Sequence, residues 1–165
     1  MSFSKDFLWG AASAAHQVEG GYLDDGKGLG IWDHFGHEEG RIDFGENADV
    51  SGDHYHHMKE DVALMKQIGL KSYRFSISWP RVLPEGTGKV NEKGLQFYSD
   101  LVDELIKAGI EPMVTLYHWN LPMALYEKGG WKNPEIPNWF GEYVETVVKC
   151  LGDRVKYWMT FNEIN

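Results

Sequence analysis

Four short apolar runs alternate with three amphipathic helical patterns, and few folds accept that order. The runs are Phe7 to Ala11 (FLWGA), Ser72 to Ser76 (SYRFS), Pro112 to Tyr117 (PMVTLY) and Val155 to Phe161 (VKYWMTF). Dense in aromatic and branched residues, they read as strands buried on both faces rather than half-exposed ones. In DHYHHMKEDVALMKQIGL, residues Tyr55, Met58, Val62, Met65 and Ile68 recur at spacings of three and four, and Gly69 ends the pattern. NEKGLQFYSDLVDELIKAGI does the same with Leu95, Tyr98, Leu101 and Leu105 before Gly109. NWFGEYVETVVKCLGD repeats it with Phe140, Val144, Val147 and Leu151 before Gly152. Strand–helix–strand repetition of this kind predicts an α/β fold, a parallel sheet covered by helices.

The connections are unequal. Helix-to-strand returns such as Gly109 to Pro112 take only a few residues. The segment after the first strand runs from about Ser13 to Asp53 and is rich in Gly, Asp and His. Long connections at the carboxyl ends of parallel strands are where barrels and doubly wound sheets build their sites. Two architectures fit: an open four-stranded sheet, or half of an eight-stranded (β/α)8 TIM barrel. The fourth strand has no helix after it to cover it, which favours the half. No linker, low-complexity tract or internal repeat divides residues 1–165, so they are expected to form a single segment.

Charge and cysteine content narrow the function. Sixteen Lys and Arg stand against 25 Asp and Glu, a net charge of −9, and no basic stripe is present for a nucleic acid. Cys150 is the only cysteine and cannot form an internal disulfide. No apolar stretch is long enough for a signal peptide core or a membrane span, so a cytoplasmic protein is expected.

The strand ends carry the chemistry. Gln17 and Glu19 follow the first strand, Arg74 sits inside the second, His118, Trp119 and Asn120 follow the third, and Asn162 and Glu163 follow the fourth. Amide, imidazole and carboxyl groups beside an aromatic ring suit a sugar, whose hydroxyls need partners and whose apolar face needs a flat surface. They do not suit a phosphate, which calls for a glycine-rich loop at a helix start. Taken singly, each residue has a plainer reading. Glu163 could open a helix, His118 could be a hydrogen-bonded core histidine, Arg74 could form a structural ion pair, and Glu19 could pin its loop. Of the histidines in DHYHH, at most two share a helix face, so no metal site is expected. Trp9, Trp79 and Trp158 lie in strand segments and read as packing, whereas Trp32 and Trp131 lie in loops.

Five motifs in order, FLWGAASAAHQVEG, IWDHF, YRFSISWPRVLPEG, YHWNLP and YWMTFNE, resemble the first half of the family 1 glycoside hydrolases, the β-glucosidase family. That resemblance covers essentially the whole chain and implies the first four strands of a (β/α)8 barrel. It further implies that Glu163 is the general acid/base, with Gln17, His118 and Asn162 holding sugar hydroxyls beside Trp119. Arg74 would lie beneath the nucleophile and favour its ionised form. A retaining glycosidase needs its two carboxyl groups about 5 Å apart, and a proton donor beside a second carboxylate has its pKa raised. The family's nucleophile lies on a later strand, in a Glu-Asn-Gly setting absent from these residues, so the chain alone is expected to be inactive.

The resemblance implies no cofactor. Its partners would be a β-glucoside or oligosaccharide and the carboxyl-terminal half of the barrel, or a second copy closing the ring without supplying a nucleophile. The family usually continues Glu-Pro after the acid/base, whereas here Glu163 is followed by Ile164 and Asn165. That ending looks more like the 6-phospho-β-glucosidase branch, while YHWNLP looks like the branch acting on plain glucosides. A non-catalytic half-barrel that self-associates is the third possibility.

Overall fold

The computed structural model describes residues 2–163. Four strands, β1 (Gly10–Ala12), β2 (Ser72–Ser76), β3 (Glu111–Tyr117) and β4 (Tyr157–Phe161), form one sheet in the order β1-β2-β3-β4. Every neighbouring pair is parallel. The long crossovers are α3 (His54–Gln67), α5 (Glu92–Ala108) and α7 (Ile136–Leu151). Short helices fill the strand-to-helix connections: α1 (Ala15–Val18), α2 (Ile31–His37), α4 (Trp79–Val82) and α6 (Met123–Tyr126). The asymmetry of connection lengths expected from the sequence is present.

Alternation along the strands gives the sheet two unlike faces. Tyr73 and Phe75 of β2 and Val114 and Leu116 of β3 share one face and are buried in the helical core. The helix α5, packed between α3 and α7, buries Phe97, Tyr98, Leu101, Val102 and Leu105 there. Full burial of such side chains stabilises by roughly 1.5–3 kcal/mol each, so this stripe anchors the fold. The opposite face carries Arg74, Met113, Thr115 and Met159, which are polar or, apart from Thr115, only half buried.

Several sequence expectations shift. The first strand lies at Gly10–Ala12 rather than Phe7–Ala11, and all three of its residues are exposed. Phe3, Phe7 and Trp9 instead pack their rings on one another, 4.4 to 4.9 Å apart, and Trp9 is 57% exposed. The fourth strand starts at Tyr157 rather than Val155 and is only partly buried. Both are edge strands here, so a two-faced buried pattern in the sequence meets a neighbour on one side only.

Trp79 belongs to the first turn of α4, not to a strand. Wholly buried, it stacks on Tyr143 at 4.8 Å and donates Nε1–H to the Gly86 carbonyl at 2.8 Å. Ile68 falls past the end of α3 and is 74% exposed, so the expected stripe loses its last member. Gly69 and Gly109 take left-handed φ of 84° and 78°, as helix-ending glycines do, but Gly152 remains right-handed at −67°. No described helix is long and apolar enough to cross a membrane.

Candidate functional site

The strand order brings the carboxyl ends of β2, β3 and β4 side by side, and three of the singled-out residues bond to one another there. Arg74 projects from the less covered face of β2. Its Nε donates to Thr115 Oγ1 at 2.7 Å and its Nη2 to Asn162 Oδ1 at 2.9 Å. Asn162 is held in turn by its own N–H, which donates to the Tyr117 carbonyl at 2.9 Å. Trp119 donates Nε1–H to the Asn162 carbonyl at 3.0 Å, and its ring lies 5.4 Å from that of His118.

Below them an aromatic group fixes the end of β4. Phe161 packs on Phe140 of α7 at 5.0 Å, on Trp131 at 5.5 Å and on Tyr117 at 5.7 Å. Trp131, which the sequence left undecided, donates to Tyr117 Oη at 3.0 Å and is therefore part of this support.

Trp119 and Glu163 adopt left-handed φ values of 65° and 50°. For a bulky non-glycine residue that is a sparsely populated conformation, costing on the order of 1–3 kcal/mol, and such strain clusters at functional sites. Glu163, the residue after Asn162, is exposed. Burial lowers the pKa of His118, and the positive charge of Arg74 lowers it further, against a weaker opposing influence from Glu163. His118 is therefore a neutral imidazole at pH 7, and its Nδ1 has no protein partner among the described residues. A neutral ring offers one donor and one acceptor, which is what a sugar hydroxyl takes.

Gln17 stands apart. It lies on α1, exposed, and its side chain bonds to none of the others among the described residues. The position of α1 is set by Ala15 N–H donating to Ser76 Oγ at 2.8 Å and Ser13 N–H donating to the Arg74 carbonyl at 2.9 Å. Glu19 is not open to a ligand: it is buried and paired with Arg81 Nε at 2.9 Å, and it accepts from Tyr98 Oη at 2.6 Å. Of its two sequence readings, pinning the loop is the one found. Asn120 is likewise buried, donating to Ser78 Oγ at 2.9 Å. Ile164 and Asn165, which carry the departure from the family pattern, lie outside the described residues.

Sequence reasoning missed Thr115, Arg81 and a second buried ion pair. Thr115 had a signal, a hydroxyl on the same strand alternation as Arg74. Lys27 Nζ meets Asp33 Oδ2 at 2.6 Å, with His16 Nδ1 at 3.4 Å from the other carboxylate oxygen, and no spacing announces that group. Burial alone would raise the pKa of Asp33. The His16 hydrogen bond, the charge and hydrogen bond of Lys27 and the Gly30 N–H outweigh it and hold the carboxyl at about 2. Among the described residues no three His, Cys, Asp or Glu side chains form a metal-binding group.

The glycosyl hydrolase family 1 model matches residues 1–165. The chain belongs to that family. It is 56% identical over 163 residues to β-glucosidase A of Acetivibrio thermocellus, covering 99% of this chain and 36% of that protein. It is 54% identical over 165 residues to the aryl-phospho-β-D-glucosidase BglC of Bacillus subtilis, covering 99% of this chain and 35% of that protein. The β-glucosidase of Thermotoga maritima, solved in complex with castanospermine, superposes with a TM-score of 0.96 at 53% identity, over 98% of this chain and 37% of that one. The chain thus spans about a third of the length of these family 1 relatives. Its four-stranded parallel sheet matches the first half of the family's barrel.

Proposed function

We propose that residues 1–165 act as a single segment, the amino-terminal half of a retaining β-glucosidase barrel, and supply its general acid/base, Glu163. In this reading Asn162, His118 and Gln17 take hydroxyls of the terminal glucosyl unit, and Trp119 lies against its apolar face. Glu163 protonates the leaving oxygen and later deprotonates the water that releases the sugar. The nucleophilic carboxylate comes from the carboxyl-terminal half, so this chain alone does not turn over substrate.

One observation carries the reading: Arg74, Asn162 and Trp119 are bonded into a single group at adjacent strand ends, and the partners of Arg74 among the described residues are neutral. A half-buried guanidinium facing an open side is what an incoming carboxylate needs in order to stay ionised. The hollow of about 200 Å³ lined by His16, Asp33, His37 and Asp49 is a weaker candidate, because those polar groups already satisfy one another.

The test joins the chain to the carboxyl-terminal half of its barrel and follows an aryl β-glucoside. Activity is expected only in the mixture, and Glu163→Gln is expected to lower it by about 10²–10⁴-fold. Turnover by residues 1–165 alone would refute the division of labour. A Glu163→Gln protein unimpaired in both glycosylation and deglycosylation would refute the acid/base assignment.

The resemblance to the Bacillus subtilis aryl-phospho-β-D-glucosidase supports a second reading, in which the glucoside carries a 6-phosphate. Comparing kcat/KM for an aryl β-glucoside and its 6-phosphate in the reconstituted barrel decides between them.

A further inference from the structure

Behind the strand-end group lies a buried polar knot that the glycosidase reading does not use. It joins three connections: Glu19 follows β1, Ser78 and Arg81 follow β2, and Asn120 follows β3. Arg81 is 0% exposed and Asn120 4%. Arg81 gives Nε to Glu19 Oε2 at 2.9 Å and Nη2 to the Gly20 carbonyl at 3.0 Å, while its Nη1 has no protein partner among the described residues. Asn120 gives Nδ2 to Ser78 Oγ at 2.9 Å, while its Oδ1 is likewise without a protein partner.

Both residues line one small hollow, together with Glu19, Lys27, Asp33 and Ser78. The space in it open to a water's centre is about 10 Å³. The two residues that line the hollow thus bring one buried donor and one buried acceptor, which are complementary, and each would carry a desolvation penalty if left unmade. That space matches a single water, which needs roughly 10–15 Å³ of it and two to four polar partners. An anion would meet the carboxylates of Glu19 and Asp33, and a cation would meet the guanidinium. A water answers both atoms at once.

We propose that a single internal water molecule binds between Arg81 Nη1 and Asn120 Oδ1, accepting from the guanidinium and donating to the amide oxygen. It completes the bond set of the knot and links the connection that bears His118 and Trp119 to the Glu19 loop that bears Gln17. The proposal does not depend on the glycosidase reading and would hold in a family member with any substrate.

A high-resolution crystal structure of the unmodified chain tests it. One density peak within about 2.7–3.2 Å of both atoms is the expected result. An empty hollow overturns the proposal, as does an Asn120 amide turned so that Oδ1 accepts directly from Ser78. In solution, magnetic relaxation dispersion of water oxygen-17 counts long-lived internal waters. Asn120→Leu, which removes the acceptor, is expected to lower that count by one relative to the unmodified chain, and an unchanged count overturns the proposal. If the leucine variant does not fold, Asn120→Asp keeps the acceptor at the same size and should keep the water. Loss of the water in a folded Asn120→Asp protein would count against the site.

Discussion

Two arginines contributed by β2 and the helix that follows it have opposite surroundings. Arg81 is sealed: it lies over the Tyr55 ring at 4.0 Å, pairs with the Glu19 carboxylate and donates to the Gly20 carbonyl. Arg74 is half buried, bonded to one hydroxyl and one amide oxygen, and makes no ion pair among the described residues. A guanidinium can be fully buried only if its counter-charge is buried with it. Arg81 finds that counter-charge within the chain, so its region is finished structure. Arg74 has none among the described residues, and in the proposed function its counter-charge is the nucleophilic carboxylate of the carboxyl-terminal half. The same polypeptide thus holds one arginine whose counter-charge is buried beside it and one whose described partners are neutral.

Arg81→Met tests the finished region most severely. It strands the Glu19 carboxylate in the interior and is expected to cost about 3–5 kcal/mol, read as a fall in the urea midpoint of unfolding. A loss below about 1 kcal/mol would erase the contrast between the two arginines.

The Asp33 pair sharpens the contrast through pH. Its folded pKa of about 2 lies below the ordinary carboxylate value near 4. Its contribution is therefore complete above about pH 4 and disappears as pH falls toward about 2. By linkage it amounts to on the order of 2 kcal/mol. Asp33→Asn should remove that acid-dependent portion of stability, leaving a flatter profile of unfolding free energy between those limits. An unchanged slope there would mean that the carboxylate is not the group responsible.

The smallest effect is expected at Arg74. Arg74→Met gives up two part-buried hydrogen bonds to neutral groups, worth about 1–2 kcal/mol to the stability of this chain. In the reconstituted barrel the ranking should invert, with Arg74→Met impairing turnover of an aryl β-glucoside despite its small effect on folding. If Arg74→Met instead unfolded the chain as readily as Arg81→Met, the open-site interpretation would fail.

Local pattern reads these elements unevenly. The strand Ser72–Ser76 falls where its sequence predicts, and α5 carries its stripe to Gly109, because β2 lies between β1 and β3 in the sheet and α5 lies between α3 and α7 in the helical layer. The edges depart from expectation for the same reason: Gly10–Ala12 and Tyr157–Phe161 have a neighbour on one side only, so apolar composition did not translate into burial. The polar residues at strand ends were visible as types, and the family resemblance attached roles to them. Their partners were not. Nothing between Glu19 and Arg81, or between Lys27 and Asp33, marks them as a pair in one dimension.

What the chain of residues decided alone is the order of elements, the helical stripes and which chemical groups arrive at the strand ends, since these follow from local periodicity and residue type. Only the tertiary structure decided that Glu19 and Asn120 turn inward while Arg74, Asn162 and Trp119 bond together beside His118 and Glu163. Parallel pairing sets strand ends from distant parts of the sequence side by side, and the cost of burying a charge then selects which of them must be paired.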